Sequence, residues 1–277
     1  MFEERIRTLE AGLSTHAVRS LETRGRAFPE EECGVRTPCQ RDRDRLVHSK
    51  PFRRLKGKTQ VFIDPDGDHY RTRMTHTLET TAISRVVARA LRLNEDLVEA
   101  IGLGHDTGHT PFGHAGEDAL DAALHERFDR RFRHNEQSLR IARSLNLTHE
   151  VCDGILTHTG ERDPETLEGK IVRLVDRVAY INHDIVDSSE EADNIRQSPE
   201  VGEAMLALRA FMFERVYLGP QVVPEHERAH DVVTRIFDRL AEEPERVPDG
   251  GDDLPTRITD YVAGMTDRFA LAYADSL

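Results

Sequence analysis

From residue 76 onward the apolar positions fall into helical register. Leu78, Ala82, Ile83, Val86, Val87 and Ala90 recur at three- and four-residue spacings and predict an amphipathic helix over 76–90 with these side chains as its buried stripe. Leu97, Val98, Ala100, Ile101 and Leu103 predict a second helix over 95–105, opened by Asn94 as N-cap. Upstream, residues 3–26, rich in Arg, Glu and Leu, read as a helix. A polar stretch over 28–40 follows, and then a helix over 41–58 carried by Leu46, Val47, Phe52 and Leu55. Downstream, helical patterns run over 114–128, 134–145, 148–158, 166–187, 198–217, 226–242 and 255–275, with a Pro- and Gly-containing surface loop over 242–255. Strand character is confined to two short β-prone runs, 59–63 and 69–73, on either side of Asp64-Pro65-Asp66-Gly67-Asp68. That arrangement predicts a small hairpin near 60–73. The fold class is all-α, a helical bundle with one hairpin, in a single domain over 1–277.

Composition narrows the class. With 38% hydrophobic and 32% charged residues the chain has the make-up of a globular protein, and 277 residues can bury a substantial core. The N-terminal Met1-Phe2-Glu3-Glu4-Arg5 lacks the basic start and apolar run of a secretory signal, and no stretch is apolar enough for a membrane span, so a cytoplasmic location is expected. Cys33, Cys39 and Cys152 are odd in number and unpaired in spacing, and read as reduced thiols. A net charge of −13 argues against a general nucleic-acid binder. Charge is uneven, however. Residues 36–73 hold eleven Lys and Arg against five Asp, as a site for a small polyanion would require, although a solvated charged face has the same composition.

One dipeptide carries chemistry. His105-Asp106 closes an apolar helix and supplies a nitrogen and an oxygen ligand from one turn of backbone, a donor set suited to a borderline divalent ion. Two further ligands are needed. His76 opens the helix that follows Arg73, and Asp176 sits in the apolar run Ile171-Val172-Arg173-Leu174-Val175-Asp176, where an unpaired carboxylate would be costly. Taken alone, Asp176 could equally be salt-bridged to Arg173 or Arg177. Pro111 is expected in the first turn of the 114–128 helix, which puts His114 and Glu117 at i, i+3, facing each other, so that the carboxylate fixes the imidazole tautomer and favours its protonated form.

Five blocks in order, RTPCQRDRDRLVHSKPFRRLKGKTQVF (36–62), RTRMTHTLE (71–79), GLGHDTGHTPFGHAGED (102–118), RHNEQSLRI (133–141) and LVDRVAYINHDIVD (174–187), resemble the deoxyguanosine triphosphate triphosphohydrolase branch of the HD phosphohydrolase superfamily. DYVAGMTDRFA (260–270) is a weaker echo. The resemblance implies an HD-domain bundle with a core over about 36–187 and a helical part over about 188–277. It implies one divalent ion per site, Mn, Mg, Fe, Co, Ni or Zn, held by His76, His105, Asp106 and Asp176. Hydrolysis of a deoxynucleoside triphosphate to deoxynucleoside and tripolyphosphate is the implied reaction. By the same resemblance His114 is the general acid, with Glu117 as its partner and His134 in support. Gln60, Arg73, His109, Arg177, Tyr180 and Asp184 would contact phosphate or sugar. His48, His69, His158 and His183 lie within or near these blocks and are read as groups that could orient ligands, not as ligands themselves. Relatives are often hexamers and some bind single-stranded DNA, so a homo-oligomer and weak single-stranded DNA binding along 36–58 are implied partners, beside the nucleotide and without a membrane.

Two other functions keep part of this pattern. An HD nucleotidase or phosphodiesterase acting on other nucleotides would have the same metal ligands but no need for Arg73, His109 and Arg177 around a polyphosphate. A nucleotide- or single-stranded-DNA-binding regulatory protein would have no need to retain all four ligands together with His114 and Glu117.

Overall fold

The computed structural model describes residues 2–60, 71–178 and 223–277, with 200, 202–204, 206 and 207 between them. Among the described residues the regular structure is almost entirely helical, as the periodicity predicts. The N-terminal helix is shorter than expected: α1 (Phe2–Glu10) ends where Ala11-Gly12 breaks the pattern, and the Arg19 guanidinium returns to the carbonyls of Glu10, Leu13 and Ser14. The predicted 41–58 helix is two helices. Thr37 and Gln40 form a capping box that starts α2 (Pro38–His48), and Ser49 then caps α3 (Lys50–Arg54) with Pro51 in its first turn.

Of the predicted hairpin, the described residues hold a single bridge. Thr59 and Thr72 form an antiparallel bridge and Arg73 N–H donates to the Lys58 carbonyl at 3.1 Å; residues 61–70 between them lie outside the described residues. Thr72 and Thr75 then cap α4 (Arg73–Ala90) reciprocally. Its buried face follows the predicted stripe only in part, through Ile83 and Val87, which are half-buried against the core. Arg73, His76, Thr77, Thr80, Thr81, Ser84 and Ala88 point inward, whereas Leu78 and Val86 are exposed. The reason is close approach to α5 (Glu95–Gly104): a Cβ on Gly102 would sit 2.6 Å from Thr81 Oγ1, a separation only small side chains permit. The buried Thr81 hydroxyl donates to the Thr77 carbonyl of its own helix at 2.7 Å.

Helix α5, capped by Asn94 as expected, is buried on nearly every side and packs against α2, α4, α8 (His149–Thr157) and α9 (Leu167–Val178). Leu46, Leu97, Val98, Ile101, Val151, Ile155, Ile171 and Val175 fill this core. A second core joins α6 (Gly113–Phe128) to α10 (Val223–Glu242), α11 (Leu254–Ala263) and α12 (Asp267–Asp275), through Leu120, Val233, Ile236, Phe237, Leu240 and Ile258. The predicted 255–275 helix is broken at Gly264, where a Cβ would meet the Asp260 carbonyl at 2.8 Å. Helix α7 (His134–Ser144) leans on α8. No described helix is long and apolar enough to cross a membrane.

Two buried polar groups tie the halves together. Lys58 Nζ donates to the carbonyls of His109 (2.5 Å) and Ala263 (2.8 Å), and Asp267 accepts from the backbone N–H of Thr59 (2.7 Å) and Phe112 (2.9 Å). Part of the basic segment is neutralised by acids inside and outside it. Arg36 and Arg43 pair with Asp44, Arg43 also reaches Glu99, and Arg41 and Arg45 pair with Glu30.

Candidate metal centre

The C-terminal end of buried α5 delivers His105 and Asp106, α4 brings His76 one helical turn from its start, and α9 brings Asp176 from the opposite side. One ligand atom from each of His76, His105 and Asp106 lies within 4.8 Å of the others, and all three residues are buried. Asp176, whose side chain is 25% exposed, completes the ring: its Oδ1 is 2.9 Å from His76 Nε2 and 3.6 Å from His105 Nε2. His105 Nδ1 donates to the Gly102 carbonyl at 2.7 Å, which fixes the tautomer, and Nε2 is left buried without a hydrogen-bond partner. An inward-facing, orphaned imidazole nitrogen between two carboxylates fits a divalent cation. Burial works against the Asp106 charge, but His105 and Arg73 hold it well below the usual carboxylate range. Burial likewise lowers His105, yet Asp106 and Asp176 prevail and push it up to about 9. Both shifts express the cluster's demand for positive charge.

Arg73 meets that demand in part. Almost wholly buried, it donates to Asp106 Oδ2 from Nη1 at 2.8 Å, while Nε and Nη2 have no hydrogen-bond partner. His109 is also buried, with neither ring nitrogen hydrogen-bonded and Nε2 3.7 Å from Glu117 Oε2, and its ring stacks on His134 at 4.4 Å between centroids. Burial, reinforced by Arg73 and His134, pushes His109 well down, so it stands as a neutral imidazole.

The chain enters α6 through a left-handed pair, Phe112 (φ 61°) and Gly113 (φ 59°), held by Asp267. Pro111 therefore precedes the helix and does not occupy its first turn. His114 and Glu117 face each other as expected, with Nδ1 and Oε2 3.2 Å apart. Glu117 also accepts from the backbone N–H (2.8 Å) and Nδ1 (2.9 Å) of His134. Burial opposes its ionisation, but the hydrogen bonds from His114 and His134 hold its carboxyl far below the usual range. The His114 side chain is 73% exposed.

Of the other predicted residues, Gln60 is buried beside the bridge and Arg177 is exposed at the end of α9, whereas Tyr180 and Asp184 lie outside the described residues. Sequence reasoning gave no structural weight to Lys58 or Asp267, although both fall in the blocks that carry the resemblance. His158, read from the sequence as a group that could orient ligands, is buried with its ring against His105 (5.1 Å) and His134 (5.2 Å).

Gly108 locks the loop between the two His clusters. A Cβ there would lie 2.2 Å from the Ser138 nitrogen, and its N–H donates to Ser138 Oγ at 2.9 Å. Gly108→Ala must therefore displace α7, and with it His134, at a cost of roughly 1–3 kcal/mol or more. Chemical denaturation should register that loss, and unchanged stability would show that α7 yields freely.

Comparison with known proteins gives the family. Residues 73–181 match the HD domain and residues 195–276 the phosphohydrolase-associated domain. The chain is 45% identical to a deoxyguanosinetriphosphate triphosphohydrolase-like protein of Caldanaerobacter subterraneus subsp. tengcongensis over 94% of this chain and 90% of that one. It is 40% identical to proteins of the same description from Desulfatibacillum aliphaticivorans (94% and 92% covered) and Clostridium perfringens strain 13 (90% and 89%). A crystal structure of a hypothetical protein from Aquifex aeolicus has a similar fold, with a TM-score of 0.51 at 21% identity over 84% of this chain and 67% of that one.

Proposed function

This chain belongs to the deoxyguanosinetriphosphate triphosphohydrolase-like family of HD-domain hydrolases, and from that premise we propose that it cleaves a deoxynucleoside triphosphate between the α-phosphorus and the sugar oxygen, releasing deoxynucleoside and tripolyphosphate. The observation that carries this reading is the juxtaposition of a His76–His105–Asp106–Asp176 cluster with a buried guanidinium that has donors to spare.

A divalent cation held by those four residues would neutralise charge on the α-phosphate as a Lewis acid. Arg73, fixed at one end by Asp106, keeps Nε and Nη2 for phosphate oxygens, and a guanidinium suits planar, bidentate contact of that kind. Neutral His109 adds an N–H donor beside it. Arg177, Gln60, Tyr180 and Asp184 are assigned to the remaining phosphate and sugar contacts by the resemblance alone. Glu117 orients His114 through Nδ1, leaving Nε2 for the departing sugar oxygen, which needs a proton as the bond breaks. His134 braces Glu117 from the other side. We assign the whole chain to one working unit because α6, which carries His114 and Glu117, is packed by the C-terminal helices.

The test is incubation with each deoxynucleoside triphosphate in Mn²⁺ or Mg²⁺, reading tripolyphosphate and nucleoside together. Equimolar release of the two is expected. Monophosphate with pyrophosphate, or turnover of cyclic nucleotides or monophosphates only, would replace this reaction with another on the same metal site.

A further inference from the structure

The two residues assigned to the polyphosphate, Arg73 and His109, are joined by a third that does not reach it. We propose that Lys58 is a positioning residue, a buried strut that fixes the spacing of Arg73 and His109 and foots it on the C-terminal helices. This role rests on the reading of Arg73 and His109 as polyphosphate donors.

Three observations carry it. First, Lys58 holds both donors by their backbones. Its carbonyl accepts the Arg73 N–H at 3.1 Å, beside the Thr59–Thr72 bridge, and its Nζ donates to the His109 carbonyl at 2.5 Å. The His109 N–H donates in turn to the Asp106 carbonyl at 3.1 Å. The backbone on both sides of the His109 ring is therefore fixed, while neither ring nitrogen is hydrogen-bonded.

Second, Nζ has another foothold, the Ala263 carbonyl at 2.8 Å. Ala263 is the last residue of α11, so its carbonyl has no partner within that helix and lies at the negative end of the helix dipole, a place that suits an ammonium. The turn that follows ends at Asp267, which holds the backbone N–H groups of Thr59 and Phe112. The C-terminal helices thus grip the chain on both sides of His109 and next to Lys58.

Third, packing alone does not explain an amine here. Lys58 is 2% exposed, and burial, followed by the nearby Arg73, pushes its ammonium down to about 7. An apolar side chain of the same length would fill this space without that penalty, so what calls for the amine is the pair of carbonyls it holds. The C-terminal helices thereby acquire a task in the reaction, that of keeping two phosphate donors of the other half at a set distance.

Calorimetric titration tests the strut. The full-length chain, with free Mg²⁺ in excess, is titrated with magnesium tripolyphosphate and separately with each deoxynucleoside. Lys58→Met keeps the side-chain length and removes the amine. It should lose about ten- to a hundredfold in tripolyphosphate affinity, the worth of one hydrogen bond to a charged group. Deoxynucleoside affinity and the Mn²⁺ retained after desalting should stay as in the unmodified chain. Lys58→Ala should show the same selective loss and recover it in n-propylamine, which matches the part of the side chain removed, but not in NaCl of equal ionic strength. The amine has a route, because Lys58 borders a cavity of about 550 Å³ with Arg54, Gly108, Arg140 and Gly264. Unaltered tripolyphosphate affinity in Lys58→Met overturns the proposal, and so does an equal loss of both ligands, which a merely structural role would give. If Lys58→Met does not fold, checked by circular dichroism, Lys58→Ala decides alone, and a tripolyphosphate affinity that propylamine leaves unchanged refutes the strut. Should the unmodified chain bind no tripolyphosphate, the reading of Arg73 and His109 fails and the positioning role with it.

Discussion

Asp106→Ala is expected to abolish both cation binding and turnover and, unlike loss of any other ligand, to destabilise the protein markedly. Asp106 serves two partners, the cation cluster and the Arg73 guanidinium at 2.8 Å, and both members of that ion pair are almost fully buried. Losing several kcal/mol of phosphate charge neutralisation corresponds to at least about a thousandfold in rate. Stranding a buried guanidinium adds about 3–5 kcal/mol of lost stability. Asp176→Asn isolates the first effect, because Asp176 is partly exposed and its loss leaves Arg73 and His105 with the Asp106 carboxylate. Both variants should fail to retain Mn²⁺ in equilibrium dialysis, whereas only Asp106→Ala should unfold at much lower denaturant in metal-free buffer. Equal stability of the two would mean that Arg73 finds another acceptor, and bound Mn²⁺ in either would remove that residue from the ligand set.

Most of the helices were legible in the sequence because apolar periodicity and cap residues are local information, whereas the four candidate ligands were named together only through the five blocks and the resemblance they carry. Part of the α4 stripe was misread for a physical reason. Periodicity assumes that the largest apolar side chains are buried, yet where α4 meets Gly102 of α5 only hydroxyl-bearing and small residues fit, and Leu78 and Val86 are displaced to the surface. Breaks at Ser49 and Gly264 were missed because long helical patterns hide a cap inside them. The Arg73–Asp106 pair, the Lys58 clasp on His109 and Ala263, and the Asp267 hold on Thr59 and Phe112 join residues far apart in the chain, and nothing local announces such contacts. Charge counting overstated the 36–73 segment for the same reason, since Glu30 and Glu99, which neutralise part of it, lie outside the window counted.

His114→Ala should behave in the opposite way to the ligand variants, with turnover lost and cation retained. The side chain is mostly exposed and its only hydrogen bond among those described is to Glu117, so its removal opens no cavity and strands no buried charge. A general acid contributes typically 10²- to 10⁴-fold, and kcat should fall by about that factor, with the Mn²⁺ content unchanged. The proton matters because an alkoxide is a poor leaving group. A triphosphate ester that departs as a weakly basic nitrophenolate has little need of it, so the same variant should cleave that ester at close to the unmodified rate. A merely structural role for His114 would depress both substrates equally, and near-normal turnover of the deoxynucleoside triphosphate would dismiss it as the acid. Glu117→Gln supplies the complementary measurement. Glu117 accepts from both His114 and His134, so this change should loosen the acid and the ring that braces its carboxylate at once and cost at least as much kcat as the loss of His114.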